Sequence, residues 1–266
     1  MDIKLIKNDV KNKKLSFILK GGDVAFANTL RRLVIEEVPT LAIEDVEFRK
    51  NTSALYDEMI ALRLGLIPLK TDLKSYNLPE ECPCKGKGCA QCQLKLIPKA
   101  KGPKMVYAAD LKSKDPKVKP IFPKTLIVKL LKGQVLEAEM TAILGKGKEH
   151  TKWSPALVYY KYDPTITITK KGQDILECAD ACPQKVFDKK GGKLEINQKR
   201  LLDCHLCGEC EDLSKGEVKI SRDVQDFVFF VESWGQLDCK EIMLEASGIL
   251  DKKIDMFEKE IKPKKK

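Results

Sequence analysis

The sequence is poor in the residues most enzymes rely on. Two histidines serve 266 residues, so imidazole acid–base chemistry has little to draw on. No stretch reaches eighteen consecutive apolar residues, which excludes a membrane-spanning helix. The opening residues, MDIKLIKNDVKNKK, carry no long apolar segment. A secretory signal is therefore not expected, and a cytoplasmic location is. No G-x-G-x-x-G follows a strand pattern, so nothing points to a flavin or nicotinamide fold. The run Gly145-Lys146-Gly147-Lys148-Glu149 fails as a phosphate loop. Ala142 stands where the first glycine belongs, and Glu149 where a Ser or Thr belongs. No D-x-D pair suggests two-metal catalysis. Cys239, beside a helix start, is the one candidate nucleophile, and a core or cap position is its plainer role.

What the chain does hold is charge and cysteine. An apolar content of 43% is enough for a real core. The net charge of +10 is concentrated in two places. Residues 99–124 hold eight lysines against Asp110 and Asp115, and residues 262–266 add four more lysines. The remainder is balanced, which favours solvated basic loops and tails over a continuous nucleic-acid face. Direct DNA binding by 99–124 would predict steep salt dependence, but aromatic interleaving there is sparse. The ten cysteines are grouped: four at 82–92, five at 178–210, and Cys239 alone. Such grouping without a signal peptide points to metal before disulfides.

The periodicities read as an α+β chain. Ile3 and Leu5, then Leu15, Phe17 and Leu19, alternate with polar residues and predict a hairpin. Asp23 is placed to cap a helix from about Val24 to Glu37. Its inward face is Phe26, Leu30, Leu33 and Val34, and Pro39 stops it. Leu41 and Ile43, then Val46 and Phe48, predict a strand with a slip in register. Ser53 is expected to cap a short helix with Leu55, Met59 and Leu62 inward and Gly65 at its C′ position. Residues 70–124 read as loop-rich. Strand patterns return at Leu126/Val128/Leu130 and Leu136/Ala138/Met140 around a turn at Gly133, then at Ile166/Ile168 and Phe227–Val231. Asp238-x-x-Glu241 has capping-box spacing and opens a last helix. Met243, Ala246, Leu250, Ile254, Phe257 and Ile261 form its stripe, which runs about 35 Å at 1.5 Å per residue. Two readings fit a stripe that long: a core helix, or a helix–helix interface with a partner chain.

The first cysteine group is Cys82-Pro83-Cys84-x4-Cys89-x2-Cys92. Four thiolates in so short a loop suit a closed tetrahedral zinc site of structural type, with two disulfides as the alternative. In the second group, Cys204-x2-Cys207-x2-Cys210 has the ligand spacing of bacterial ferredoxins. In two-cluster ferredoxins the fourth cysteine of each run serves the other cluster. That rule joins Cys182, which precedes Pro183, to Cys204, Cys207 and Cys210 around one [4Fe–4S] centre. The companion cluster should be missing. Gly172 and Ile175 stand where two of its cysteines would be, and Ser214 where another would be. Cys178 is then a leftover thiol, or a partner for a cysteine released in a [3Fe–4S] form. A second zinc site is the alternative. His205, between ligands, is expected to be exposed rather than ligating.

Several stretches together resemble one family. Phe26-Ala-Asn-Thr-Leu-Arg-Arg32, Ile35-Glu-Glu-Val-Pro39 and Ala42-Ile-Glu-Asp-Val-Glu47 resemble the dimerisation signature of the bacterial RNA polymerase alpha subunit. Arg63-Leu-Gly-Leu-Ile-Pro68 resembles the third-largest eukaryotic polymerase subunit, and the 82–92 loop resembles its zinc loop, with a longer central gap. Gly145–Pro155 is similar to a further family motif, and the ferredoxin-like insert resembles that of the archaeal branch of the same family. The resemblance implies a discontinuous dimerisation domain of 1–40 plus 217–266. It implies a second, β-rich alpha-like domain at 41–163 and a ferredoxin-like cluster domain at 164–216. It implies pairing with the small L subunit of the polymerase through the helix at 24–37 and the C-terminal helix. Phe26, Leu30, Leu33, Leu250, Ile254 and Phe257 are the interface residues so implied. The heterodimer would then nucleate binding of the large catalytic subunits, with Arg31 and Arg32 as contacts or merely a solvated face. No catalytic residue is expected in the chain, and nucleic acid would be reached only through the complex. The rival reading is a ferredoxin-type electron-transfer protein or oxidoreductase subunit, which predicts reversible electron exchange with a partner.

Overall fold

A computed structural model describes residues 1–261. The basic tail at 262–266 lies outside the described residues. In chain order the elements are β1 (Asp2–Asp9), β2 (Lys14–Lys20), α1 (Val24–Glu36), β3 (Thr40–Asn51), α2 (Asp57–Gly65) and β4 (Gln93–Ile97). Next come β5 (Lys99–Lys101), β6 (Lys104–Tyr107), β7 (Lys112–Ser113), β8 (Leu126–Leu130) and β9 (Val135–Gly145). They are followed by β10 (Ala156–Ile168), α3 (Glu177–Ala181), β11 (Phe187–Lys190), β12 (Lys193–Ile196), α4 (Glu209–Leu213), β13 (Val218–Ser233) and α5 (Cys239–Ile261). None of the helices is long and apolar enough to cross a membrane, among the described residues.

The chain forms two compact units. The larger holds Asp9–Leu15, Leu30–Val158 and, among the described residues, 231–261. Its centre is a sheet in the order β3-β9-β4-β7, with β5 also paired to β9. β3 runs antiparallel to β9 from Thr40↔Gly145 to Asn51↔Leu136, with breaks in register at Ile43/Asp45 and Phe48/Lys50. The first break is the slip expected from the sequence. It marks a bulge, where one strand carries an extra residue and the alternation changes phase. Leu41, Ile43, Leu94, Leu96, Leu136, Met140 and Leu144 face one core together with Ile60, Leu64 and Ile67.

The short helix differs from expectation. It begins at Asp57 after Tyr56, and its buried residues are Ile60 and Leu64. Met59 and Leu62 are exposed. Ser53 makes a local turn instead, its hydroxyl bonding the Leu55 carbonyl and its amide donating to Asn51 Oδ1. Gly65 is the last helical residue, and Leu66 caps the helix in the αR region. The strands either side of Gly133, which has φ +83°, also part company. β8 pairs with β6, and β9 with β3, β4 and β5.

The smaller unit holds Met1–Asn8, Ser16–Thr29 and Tyr159–Phe230. A four-stranded sheet in the order β1-β2-β13-β10 supplies its frame. Phe17 stacks on Phe229 at 5.1 Å, and Tyr160 meets both Phe227 and Phe229. Asp23 caps α1 as expected: its Oδ1 accepts from the Phe26 amide at 2.6 Å. Between β10 and β13 lies the cysteine-rich insert. There α3, the β11–β12 hairpin and α4 enclose a small core of Ile166, Cys178, Val186, Phe187, Leu194, Cys204, Cys210 and Val218.

Candidate metal centres and interface

The 82–92 loop links α2 to β4 and is folded by its own turns. The Lys85 amide bonds the Cys82 carbonyl at 2.8 Å, and the Cys92 and Gln93 amides bond the Cys89 carbonyl at 3.0 and 2.9 Å. Lys85, Gly86 and Gly88 all take positive φ, which lets so short a segment double back. The result brings four sulfurs together. The Sγ separations are 3.4 Å for Cys82–Cys84, 3.5 Å for Cys82–Cys89 and Cys84–Cys92, and 3.8 Å for Cys89–Cys92. Four thiolates at ~2.3 Å from one tetrahedral ion sit about 3.8 Å from each other, so this tetrad matches a single-ion site. No disulfide joins any of the ten cysteines.

The thiols of the tetrad share protons unequally. Cys84 is pulled down to about 6 by hydrogen bonding to the Cys82 thiol, aided by Cys92, Cys89 and the Gly88 amide. Cys82 is pushed up to about 12: the Cys84 amide works downward, and burial and the neighbouring thiols outweigh it. Crowded thiols that favour one thiolate are a donor set that a dication would complete.

The insert thiols are placed differently. Cys182 ends α3, Cys204 ends the 3-10 turn at Leu201–Asp203, and Cys210 lies in α4. Leu206 and Gly208, at φ +60° and +84°, bend the chain between Cys204, Cys207 and Cys210. Cys210 is pushed up to about 12, chiefly by burial and then by the thiols of Cys178, Cys182, Cys204 and Cys207 around it. Among the described residues, only the 82–92 thiols bring three or more ligand atoms within 4.8 Å of one another. The insert thiols are therefore neighbours that do not gather within that distance. His205 and Cys207 are exposed.

Gly172, Ile175, Cys178 and Ser214 lie packed within the insert. Ile175 and Cys178 pack in the insert core, and the Cys178 thiol reaches the Cys210 carbonyl at 3.5 Å. Ser214 is buried, and its hydroxyl accepts from the Val218 amide at 2.9 Å while facing the Glu211 and Val218 carbonyls. A β-carbon on Gly172 would lie 2.7 Å from the Glu217 carbonyl oxygen. Cys239 is likewise a structural thiol, buried and bonded to the Lys13 carbonyl at 3.1 Å, with its pKa raised by burial.

The expected interface residues fall into two sets. Leu30 and Leu33 are buried within the chain, and Phe26 and Leu250 are half-buried. Ile254 and Phe257 are 56% and 67% exposed. α5 thus packs by Cys239, Ile242 and Ala246 in its first half and shows apolar side chains to solvent in its second. Lys253 anchors that second half to Glu37 at 2.6 Å, and Lys146 approaches the same carboxylate at 3.8 Å. Burial alone would raise the Glu37 pKa; the Lys253 hydrogen bond and the neighbouring lysines more than reverse it. Arg32 is held by Glu36 through two hydrogen bonds of 3.1 Å.

The failed phosphate loop has a structural purpose that spacing alone did not show. A β-carbon on Gly147 would lie 1.9 Å from the Ile35 carbonyl oxygen, and the Lys148 amide donates to the Glu36 carbonyl at 2.9 Å. Gly147 is thus the residue that lets this loop lie directly on the end of α1. A β-carbon on Gly145 would strike the Trp153 ring at 2.3 Å.

Comparison with known proteins places this framework. Residues 46–156 match the RNA polymerase Rpb3/RpoA insert domain, so the class is that of the alpha-like polymerase subunits. Over 96% of both chains it is 37% identical to DNA-directed RNA polymerase subunit Rpo3 of Methanosphaera stadtmanae. It is 38% identical to the Rpo3 of Methanosarcina acetivorans over 93% of this chain and 94% of that one. It is 39% identical to the Rpo3 of Pyrococcus horikoshii over 97% of each. The chain belongs to the Rpo3 family of archaeal DNA-directed RNA polymerase subunits, in keeping with the expected non-catalytic role.

Proposed function

We propose that the chain is an assembly platform of an archaeal RNA polymerase, pairing with the small L subunit and then recruiting the large catalytic subunits. The observation that carries this is the second half of α5. Ile254, Met256, Phe257 and Ile261 are all more than half exposed on a helix that continues well past its own core contacts. Covering a large apolar side chain is worth about 1.5–3 kcal/mol, so a partner helix laid along this stripe gains several such increments. The tripartite division into 1–40 plus 217–266, 41–163 and 164–216 belongs to the same proposal.

Two metal groups accompany it. Cys182, Cys204, Cys207 and Cys210 hold one iron–sulfur cluster, [4Fe–4S] or its [3Fe–4S] form, and Cys82, Cys84, Cys89 and Cys92 hold one zinc. When bound, each group supplies structural cross-links, which small segments need because their own cores are slight. The residues of this chain do the rest: they bury Cys82, Cys92, Cys204 and Cys210 and bend the chain between the thiols.

Anaerobic native mass spectrometry of the complex purified through this chain tests the reading. A large assembly containing a small partner, with mass excess for one cluster and one zinc, supports it. Ile254→Asp together with Phe257→Asp should lower partner affinity at least about tenfold, equal to 1.4 kcal/mol, with the far-ultraviolet circular dichroism unchanged. Undiminished pairing in that variant would remove α5 from the interface.

A further inference from the structure

The strand leading into the insert carries a lysine that the assembly role does not use. Lys161 lies on β10 and is half-buried. Its ammonium donates to the Leu202 carbonyl and to the Cys204 carbonyl, the latter at 3.0 Å. It also lies over the Phe230 ring at 5.6 Å from the centroid. Asp163 and Asp203 attract it without bonding to it. An ammonium half drawn out of water onto carbonyl dipoles, with carboxylates near it but none bonded, is costly to keep. A nearby anion would offset that cost. The carbonyls it holds belong to the turn that ends at Cys204, one of the four cluster cysteines. An iron–sulfur cluster held by four thiolates is such an anion, and its negative charge grows by one on reduction.

We propose that Lys161 is a positioning residue and counter-charge for the cluster at Cys182, Cys204, Cys207 and Cys210. This inference rests on the iron–sulfur reading given above. By tying the 202 and 204 carbonyls to β10, Lys161 fixes the direction in which the Cys204 thiol leaves the turn. By its charge it makes acceptance of one electron by the cluster more favourable, since local charge is one of the levers that set such potentials. No bond forms or breaks in that step. Dithionite supplies the electron and the cluster core receives it.

The test uses the whole chain in its complex, purified anaerobically, with iron and acid-labile sulfide counted and the potential read by dithionite titration followed by electron paramagnetic resonance. Lys161→Met should make reduction about tenfold harder, which is 59 mV more negative for a one-electron couple. Lys161→Arg, which keeps the charge, should stay within about twofold of the parent. Lys161→Gln keeps amide donors for the two carbonyls but not the charge. It should retain iron as the parent does and show the negative shift, even if Lys161→Met loses the cluster. A parent potential in Lys161→Gln with full iron overturns the inference while leaving the cluster reading intact. Equal shifts in the Arg and Gln variants overturn it too, because charge then plays no part. A parent protein without iron and sulfide at this site fails the cluster reading itself, and the inference falls with it.

Discussion

Cys82, Cys84, Cys89 and Cys92 lie within eleven residues, whereas Cys182 is twenty-two residues from Cys204. The first set converges through local turns, with every sulfur in reach of one ion. It borders a large core that is complete without it, built from β3, β4, β9 and α2. The second set is drawn from two separate segments, and its sulfurs stand wider apart. Cys178, Cys204 and Cys210 are themselves core residues of the insert. The contrast teaches that ligand spacing reports how a site is closed, while the surrounding core decides how much of the fold depends on it. A short loop can be pinned by a metal without the domain noticing much. A small insert whose core includes the proposed ligands Cys204 and Cys210 would have no such independence.

That contrast can be broken by removing ligands from each side. The largest effect should come from Cys204→Ser or Cys207→Ser. Protease cleavage within 172–217 should accelerate by about tenfold or more, because local opening of the insert becomes easier. Pairing with the small partner should be nearly unchanged. Unchanged protease resistance would mean that the insert folds without its ligands. Cys89→Ser should have a smaller effect. The bound metal is lost from native mass spectra, and stability falls by about 2 kcal/mol, or roughly 4–8 °C in Tm for a chain of this size. Cooperative unfolding of the whole larger unit in that variant would erase the distinction between the two sites. The smallest effect is expected for Cys178→Ala. Its thiol is fully buried but lies outside the proposed ligand set. A loss of about 1 kcal/mol from the small cavity is expected, with iron content unchanged. Loss of iron in Cys178→Ala would make it a ligand and redraw the cluster.

Those parts of the fold written in local chemistry were legible beforehand. Asp23 marked the start of α1 because a side-chain oxygen at that spot satisfies a free amide wherever the helix packs. The slip between Ile43 and Val46 marked a bulge because a change of phase in the apolar pattern has few other causes. α2 was not legible. Leu55, Met59 and Leu62 share the same 4-then-3 spacing as Ile60, Leu64 and Ile67. Periodicity cannot choose between two stripes on one segment; the core took the second, and of the first only Leu55 packs against it. β4–β7 were hidden in a lysine-rich stretch, since short strands that expose alternate lysines resemble loops by composition. The cysteine groups stood out by spacing alone. Lys161 and Gly147 did not, because their roles depend on carbonyls that come near only after folding: Leu202 and Cys204 for one, Ile35 for the other.

α5 adds a consequence for how much of this chain a cell can keep in free form. Its exposed second half lowers its free energy only when something covers it. Stabilisation of that segment is then set by mass action, growing as RT ln(1 + [L]/Kd) with the concentration of whatever binds there. A copy without a cover presents four large apolar side chains on a single helix, the kind of surface that drives unspecific association. The same helix that would join one chain to another therefore makes an unmatched chain conspicuous, so supply of the two must stay in proportion.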